Sequence, residues 1–509
     1  MRHKNISECC IKLLENSRRT LLNGVPRNYS KSMQDAKPFE SIPGLSSLPY
    51  IGPLHHFLPV IGQFGSNANL FEVTGQMHEK FGPIVKMNGV FARADMVILF
   101  EPDHIDQVYR SQESNPLRPG FETMEYHREV IKKDTFDGIY GLTTAQGAQW
   151  RDFRTKVNPA MLKPKLVRVY TNQLNEITED FIKRLKQLKG DKQYLEDNFL
   201  FEITKWSLES VALVALGARL GCITDDLTPE HPATKLMTCA KEILTLSFKL
   251  EMLPSPWKYF ATPAFKKLMK TYDMQWDISK QYIEQAKKQI YERGHDVPEE
   301  DKSIIEKLLA IDEKVATVMA NEMLFAGIDT AAFTVVSVLY RLASNPEKQE
   351  KLRDEIRNDG GQKKYLRACI KEALRIWHVV PSNLRRTDKD HIVGGYHIPP
   401  GIDVVAPNQY LSSLDKYYPR AKEFLPERWL VDKTDALYYG NAHPMVTLPF
   451  GFGIRSCIGR RIAELEIEIL LRNLVDEFKI TWEGPPINMV NKLVNNFEKP
   501  YNFRFEVAK

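Results

Sequence analysis

Cysteine is scarce in this sequence. The 509 residues include six cysteines, and none of them forms a Cys-x-x-Cys pair. Few and scattered cysteines argue against a disulfide framework and favour a reducing compartment. The missing Cys-x-x-Cys pair also argues against a structural zinc or iron–sulfur site. Each cysteine therefore has to be judged by its neighbours.

A strong excess of one charge and internal repeats are also lacking. The formal net charge is only +5, and there is no zinc-finger spacing or aromatic-plus-basic repeat, so we expect no nucleic-acid partner. The absence of repeats excludes solenoids and arrays. Hydrophobic residues make up 43% and charged residues 27% of the chain. This balance is typical of a globular protein, and the chain is long enough to enclose a cofactor.

The N-terminal segment has no long apolar run. Residues 1–37 contain eight Lys or Arg but only three acidic residues, and their apolar runs are far shorter than the roughly 20 residues of a membrane-spanning helix. This composition is typical of a mitochondrial presequence, and Arg27-Asn28-Tyr29-Ser30 resembles a matrix-peptidase site. We predict a presequence over residues 1–36, cleaved near 29/30, and one folded domain over residues 37–509. A flexible N-terminus of a cytosolic protein is the alternative.

Helical periodicity dominates from about residue 148 onward, so we predict a mainly α domain with a small β portion. The predicted helices are Phe71–Phe81, Gln149–Ala160, Leu166–Leu188, Phe199–Leu220, His231–Leu250, Pro263–Glu292, Ile304–Ser344, Pro346–Arg357, Lys364–Trp377 and Cys457–Phe478. The predicted strands are Ile84–Met87, Met96–Phe100, Val393–Ile398 and Asp403–Ala406. The long stretch Ile304–Ser344 is apolar around much of its circumference and should run through the core.

One cysteine lies in a glycine-rich segment. Cys457 belongs to Phe450-Gly451-Phe452-Gly453-Ile454-Arg455-Ser456-Cys457-Ile458-Gly459-Arg460. Glycines let the backbone approach a flat cofactor closely, and a helix beginning at the cysteine directs its positive end at a thiolate. Arg455 is placed to pair with a carboxylate of the cofactor. A lone buried cysteine is usually inert, but this spacing favours a metal ligand.

This segment resembles the haem-binding signature of the cytochrome P450 family, Phe-x-x-Gly-x-Arg-x-Cys-x-Gly, at every fixed position. The resemblance implies the P450 fold, with a long central helix over a haem b (iron protoporphyrin IX) and Cys457 as the thiolate ligand of the iron. It also implies a monooxygenase that inserts one oxygen atom from O2 into a lipophilic small molecule, either xenobiotic or steroid-like.

A second motif lies inside the predicted central helix. Ala326-Gly327-Ile328-Asp329-Thr330 could loosen the helical ladder and open a groove. By itself the motif could equally mark a helix bend. By resemblance to the family, Asp329 and Thr330 are the acid–alcohol pair that delivers protons during oxygen activation.

Glu372 and Arg375 resemble the Glu-x-x-Arg pair of the family, which Arg428 would close into a buried structural triad. The usual proline three residues after this arginine is replaced by His378. By the same resemblance, a tryptophan and three arginines are expected to contact the haem and its propionates: Trp150, Arg154, Arg385 and Arg455.

Arg367 and Lys371 lie four residues apart on one helix, and Arg460 and Arg461 would extend the same basic patch. In mitochondrial members of the family, basic residues at such positions bind the acidic surface of a ferredoxin. We therefore expect an adrenodoxin-type [2Fe–2S] ferredoxin, with its NADPH-dependent reductase, as a transient and salt-sensitive partner. A generic charged helix face is the alternative.

Three further segments, including 206–211, are most similar to the insect mitochondrial branch, close to its family 12. The resemblance implies a protein on the matrix side of the inner membrane, and the aromatic segment Leu253–Phe260 suits a peripheral membrane contact. The segments expected to line the substrate site are largely apolar, which favours a lipophilic substrate. Their proposed contact residues are Phe325, Ala326, Val380, Ser382 and Phe497.

Other functions remain open at this point. A donor-independent haem-thiolate isomerase or dehydratase would use the same fold, but such relatives often lack the acid–alcohol pair. A non-catalytic haem-thiolate sensor is a third possibility, which the basic donor face disfavours. A microsomal-type monooxygenase fed by a flavoprotein reductase would be expected to carry an N-terminal anchor.

Overall fold

The computed structural model describes residues 35–48, 51–58, 62–64, 69–112, 115–163, 169–189, 199–224, 227–294, 298–358 and 363–508. Apart from residues 35 and 36, the predicted presequence and its cleavage site lie outside the described residues. Helices make up most of the described chain and strands a small part, which confirms the predicted fold class.

The α-helices are distributed between Leu70 and Glu477. They are α1 Leu70–Phe81, α2 Pro102–Ser111, α3 Glu122–Tyr126, α4 Lys133–Phe136, α5 Gly141–Thr144, α6 Gly147–Met161, α7 Thr171–Lys189, α8 Phe199–Leu216, α9 Pro232–Ser247, α10 Pro263–Arg293, α11 Ile304–Leu309, α12 Glu313–Ala343, α13 Pro346–Asn358, α14 Lys364–Ile376, α15 Asn408–Ser412 and α16 Arg460–Glu477. Short 3-10 helices cover Phe39–Ser41, Pro53–Phe57, Pro426–Trp429, Tyr439–Asn441 and Gly453–Arg455. Two π-helical turns cover His127–Ile131 and Phe248–Met252.

The strands form small sheets beside the helices. They are β1 Ile84–Met87, β2 Met96–Leu99, β3 Asn383–Arg386, β4 His391–Val393, β5 Tyr396–Ile398, β6 Asp403–Ala406, β7 Phe478–Trp482, β8 Asn488–Val490, β9 Asn496–Glu498 and β10 Phe503–Val507. The largest sheet has the order β1-β2-β6-β3, in which β2 and β6 run parallel and the other neighbours antiparallel. Apolar residues of this sheet, including Val85, Val97 and Val404, are fully buried and form a core separate from the helical one.

Helix α12 runs through the helical core and contacts α8, α10, α14 and α16. It is long and apolar enough to cross a membrane, but 72% of its most apolar window is buried inside the protein. A helix that is apolar on nearly all sides is stable in water only when other elements cover it. The prediction that this helix occupies the core is confirmed.

Two sequence predictions of helix bounds were wrong. The stretch Ile304–Ser344 is two helices, because the Asp312 carboxylate accepts a hydrogen bond from the Val315 amide at 2.9 Å and caps the start of α12. Helix α16 begins at Arg460 rather than at Cys457. The cysteine therefore precedes the helix, whose first amide groups point back toward it.

Candidate active site

The loop before α16 holds Cys457 in a fixed orientation. Its amide donates a hydrogen bond to the Phe450 carbonyl at 2.8 Å, which closes the loop around the 3-10 turn Gly453–Arg455. Gly451 and Gly453 have φ values of +75° and +64°, a region that glycine adopts without strain. The backbone thus turns sharply enough to place the Cys457 sulfur beside the N-terminus of α16.

The electrostatic surroundings of the Cys457 sulfur have opposing effects on its pKa. Solvent can reach the side chain. The protein atoms packed around the sulfur nevertheless displace most of its water, and this desolvation raises the pKa of the thiol. The amide groups of Gly459 and Arg460 and the charge of Arg154 lower the pKa in part. The protein alone therefore favours the thiol, whereas a coordinated metal ion would deprotonate it.

Four guanidinium groups gather near the cysteine loop. Three belong to the predicted residues Arg154, Arg385 and Arg455, and the fourth to Arg118. Each acts electrostatically on at least one of the others, and among the described residues none of them forms an ion pair with a carboxylate. Burial first, and then the three neighbouring arginines, lower the pKa of Arg455 to about 8.

This cluster fits a bound dianion. Nη1 of Arg455 and Nε of Arg154 are buried without a hydrogen-bond partner in the described part of the chain. Trp150 is buried, with the Arg455 guanidinium 4.0 Å from its ring centroid. Unpaired guanidinium donors around an apolar ring suit a flat ligand with two carboxylates, such as the two propionates of haem. Trp150, Arg118, Arg154, Arg385 and Arg455 are the residues that would hold it.

Sequence reasoning missed Arg118. It lies in the loop between α2 and α3, where its backbone exchanges hydrogen bonds of 3.0 Å with the Gln146 side chain. The Gln146 oxygen also accepts a hydrogen bond from Arg455 at 3.0 Å. No local motif marks Arg118, so only the folded chain brings it to the cluster.

The oxygen-side motif lies in the middle of α12. The Thr330 hydroxyl donates to the Ala326 carbonyl at 2.8 Å, and Ala326 is exposed although most residues of this helix are buried. Burial raises the pKa of Asp329 to about 6, against a smaller opposite effect of Lys241. A carboxyl with this pKa exchanges protons near neutral pH, which suits a proton donor.

Glu372, Arg375 and Arg428 form one fully buried network. Arg375 contacts both carboxylate oxygens of Glu372, at 2.8 and 3.0 Å, and Nε of Arg428 donates at 2.9 Å. Arg375 also donates to the Ser412 and Ala421 carbonyls, both at 2.7 Å. The network ties α14 to α15 and to the segment before the cysteine loop.

The predicted partner-binding residues are on the surface, and most of them are engaged in contacts. Arg367 is 60% exposed and makes a two-point contact with Glu468, at 2.7 and 3.2 Å. Arg460 pairs with Glu464 at 2.8 Å, and Arg461 donates to a main-chain carbonyl. Lys371 forms no ion pair among the described residues, and its ammonium lies 5.6 Å from the centroid of a tryptophan ring.

The predicted substrate-contact residues do not share one environment. Phe325 packs edge-on against Phe121, with 5.8 Å between the ring centroids, one residue before the exposed Ala326. Val380 is 40% exposed, and Ser382 is half-buried. Phe497 is 2% exposed, and its ring is stacked on Phe333 at 4.6 Å. The structure therefore places Phe497 in the packed core.

The comparisons with known proteins agree with this geometry. Residues 47–505 match the family model "Cytochrome P450". The chain belongs to the cytochrome P450 family, whose members are monooxygenases that bind haem b. Cytochrome P450 CYP12A2 of Musca domestica is 39% identical over 94% of each chain. Probable cytochrome P450 12b2, mitochondrial, of Drosophila melanogaster is 38% identical over 92% of this chain and 89% of its own. The predicted resemblance to the insect family 12 is confirmed.

Haem b supplies the redox chemistry that activates dioxygen in this family. The chain's own contribution is positional. The cysteine loop would present the Cys457 sulfur to the iron, and the arginine cluster would provide counter-charges for the two propionates. The turn of α12 around Thr330 would provide a hydroxyl and a carboxyl. Oxygenation of a C–H bond or an alkene is the chemistry that such an arrangement supports.

Proposed function

We propose that this monooxygenase works in mitochondria, receives electrons from a [2Fe–2S] ferredoxin with its NADPH-dependent reductase, and oxygenates a lipophilic small molecule. The observation that carries the proposal is a basic cleft on the surface beside α14. Its volume is about 490 Å3, and it is lined by Lys363, Lys364, Arg367, Ala368, Lys371, Trp429 and Leu430.

The charge and shape of this cleft favour an acidic protein partner. Four of its seven lining residues are basic, and Lys371 has no carboxylate partner among the described residues, so its charge is available to a ligand. Leu430 is 45% exposed at the same cleft. An apolar contact ringed by positive charge suits a transient partner that is steered by electrostatics. The relative from Drosophila melanogaster named above carries "mitochondrial" in its name.

An exposed apolar surface supports a peripheral membrane contact, which we assign to the matrix side of the inner membrane. Tyr259 and Phe260 are 66% and 62% exposed, and Val130 is 57% exposed. Tyr126 contacts Trp257 with 6.2 Å between ring centroids, so the two segments that carry these residues adjoin each other. Aromatic and aliphatic side chains next to Lys258 suit shallow insertion into a lipid interface, and lipophilic substrates partition there.

The electron donor can be tested by reconstitution. The purified holoenzyme should be reduced faster by NADPH with ferredoxin and ferredoxin reductase than with a microsomal flavoprotein reductase. Lys371→Gln should raise the ferredoxin concentration needed for half-maximal reduction about fivefold, because one exposed charge contact contributes up to about 1 kcal/mol. The control Lys288→Gln removes a 77% exposed lysine from α10 and should change nothing. Equal effects of the two variants, or faster reduction by the flavoprotein, would contradict the proposal.

The assignment of Cys457 as iron ligand has a separate test. The reduced, carbon monoxide-bound absorption spectrum should show the red-shifted band of thiolate ligation in the wild type. Cys457→Ala should abolish this band, while Cys369→Ala, which removes a fully buried thiol from α14, should retain it. A histidine-type spectrum in the wild type would show that Cys457 is not the ligand.

A further inference from the structure

Four main-chain carbonyls in one stretch of α12 accept hydrogen bonds from side-chain hydroxyls. The Thr330 hydroxyl donates to Ala326 at 2.8 Å, and the Thr334 hydroxyl donates to the Thr330 carbonyl at 2.8 Å. Two of the three carbonyls between these, those of Gly327 and Ile328, accept hydrogen bonds from a different helix. The Ser207 hydroxyl of α8 lies 2.9 Å from the Gly327 oxygen and 2.7 Å from the Ile328 oxygen.

Ser207 reaches these carbonyls because α8 approaches α12 unusually closely at this point. A Cβ atom placed on Gly327 would lie 2.4 Å from Val211 Cγ2, so only glycine allows this contact. Val211 lies one turn after Ser207 on α8. Ser207 itself is fully buried, so its hydroxyl donates to these two carbonyl oxygens instead of to water.

The contact acts on the helical turn that contains Asp329 and Thr330. In an α-helix the carbonyls of Gly327 and Ile328 accept from the amides four residues later, at Ala331 and Ala332. The stretch is α-helical throughout, and a side-chain hydroxyl that competes for these oxygens ties this turn of α12 to α8. A hydroxyl has a single proton, so Ser207 shares it between the two oxygens.

We propose that Ser207 is a positioning residue for proton delivery: its hydroxyl holds the turn Ala326–Thr330 in the shape that aims Thr330 and Asp329 at the oxygen side. The inference rests on the proposed roles of those two residues. Without the Ser207 hydroxyl this tie to α8 is lost, and the turn is held less firmly in place. Delivery of the protons needed for O–O cleavage then becomes less efficient.

The partition of electrons between two products measures this effect. Two electrons from NADPH and two solvent protons convert O2 to hydrogen peroxide, and four of each convert it to two waters. The ratio of water to peroxide is obtained from the amounts of NADPH and O2 consumed and of peroxide formed by the reconstituted holoenzyme. In Ser207→Ala this ratio should fall by a factor of about two to ten. This is the range that one net hydrogen bond provides. Thr330→Ala should lower the ratio at least as much.

The chain offers two matched controls. Ser210 on α8 and Ser337 on α12 are fully buried, and their hydroxyls have no hydrogen-bond partner in the described part of the chain. Ser210→Ala and Ser337→Ala should leave the ratio unchanged. All variants should keep the carbon monoxide spectrum. If Ser207→Ala does not bind haem, Ser207→Cys preserves the side-chain size with a weaker donor and should lower the ratio partway.

The possible outcomes separate the two proposals. A normal ratio in Ser207→Ala with a lowered ratio in Thr330→Ala would overturn the role of Ser207 and leave the acid–alcohol pair standing. A normal ratio in both variants would overturn the pair itself, and the inference with it. Equal falls in all three serine variants would assign the effect to packing. If ferredoxin gives no reduction, dithionite replaces it. The readout is then the solvent deuterium isotope effect on the return of the oxidised spectrum, which Ser207→Ala should change and the controls should not.

Discussion

At the scale of single residues, His378 stands out as a buried imidazole that is poorly accommodated. It is fully buried, and neither ring nitrogen forms a hydrogen bond of ordinary geometry with another described residue, although the Arg375 main chain lies close enough to have a small opposing effect on the pKa. Burial, and to a smaller extent the charge of Arg375, lower its pKa to about 3. A buried polar group without a partner is destabilising, and a histidine that cannot accept a proton adds a pH dependence.

We predict that His378→Leu stabilises the protein by about 1 to 3 kcal/mol at pH 7, because it removes unsatisfied nitrogens. The folded pKa lies below the unfolded value of about 6.5, so the unfolded state binds more protons in acid. Stability is therefore retained above about pH 6.5 and lost as the pH falls toward 3. Between pH 6.5 and 5 the wild type should lose about 2 kcal/mol more than the variant.

Urea unfolding at several pH values measures both effects. His443→Leu, at a half-exposed histidine that lies 3.5 Å from Asp103, serves as the control and should keep the acid loss of the wild type. Parallel pH profiles for the wild type and His378→Leu would show that the imidazole is hydrated or paired in solution.

A site residue could be predicted from the sequence when it lies in a local motif, but not when only the folded chain brings it to the site. Cys457 and Arg455 could be named as candidates because their loop has glycines at fixed spacing, and their roles stay predictions. Arg118 was not, because its neighbours in the chain carry no motif and its partners come from distant elements. The burial of Phe497 against Phe333 likewise depends on how a late hairpin packs on α12, which local sequence does not specify.

At the scale of elements, Glu322 links α12 to the start of α5. Its carboxylate is buried and accepts hydrogen bonds from the Leu142 and Thr143 amides, at 2.6 and 3.1 Å, and from Arg128 at 2.7 Å. Gly141 has a φ of +80°, and a Cβ there would lie 2.4 Å from a Glu322 oxygen. The carboxylate thus accepts the hydrogen bonds of the first amides of α5, which have no carbonyl partner within their own helix.

We predict that Glu322→Leu lowers the free energy of unfolding by about 3 to 5 kcal/mol, because it leaves the Arg128 charge buried and alone. Arg128→Met combined with Glu322→Leu should recover part of this loss. A double-mutant cycle from urea unfolding of the holoenzyme gives the coupling energy. Additive losses would mean that the two side chains do not depend on each other.

Both the bounds of some elements and the existence of one helix were missed by the sequence prediction. The break between α11 and α12 was missed because apolar periodicity continues on both sides of it, although Asp312 is a typical capping residue. Helix α2 was not predicted, although Pro102 is its first residue, a position that proline favours. In both cases the capping signal was present, and the hydrophobic pattern outweighed it.

At the scale of the whole molecule, we expect the arginine cluster to couple haem binding to folding. In the described part of the chain its four guanidinium groups have no carboxylate ion-pair partner and repel one another, whereas a bound dianion would reverse the sign of that interaction. Any ligand that binds only the folded state stabilises it. The same residues should therefore oppose folding of the haem-free chain and favour that of the haem-bound chain.

We predict opposite effects of Arg118→Met in these two states. The haem-free protein should gain up to about 1 kcal/mol, because one of the mutually repelling charges is removed. The haem dissociation constant should rise about tenfold, because one charge-assisted contact is lost. Thermal unfolding with and without haem, together with haem transfer to apomyoglobin, measures both quantities.

The control for this prediction is a buried arginine outside the cluster. Arg353 donates to the carbonyls of Val475 and Phe478, at 3.0 and 2.9 Å, so Arg353→Met should destabilise both states. If Arg118→Met instead destabilises the haem-free protein, charge repulsion is not what governs the cluster.

The close approach of α8 to α12 has a further consequence for how this protein can vary. Because Val211 occupies the space that any side chain at Gly327 would need, Gly327 is not free to change alone. A combinatorial library randomised at 327 alone should return only glycine among active clones. A library randomised at both positions should return alanine at 327 only together with a smaller residue at 211. The oxygen-side turn and its supporting helix would then be inherited as a covarying pair.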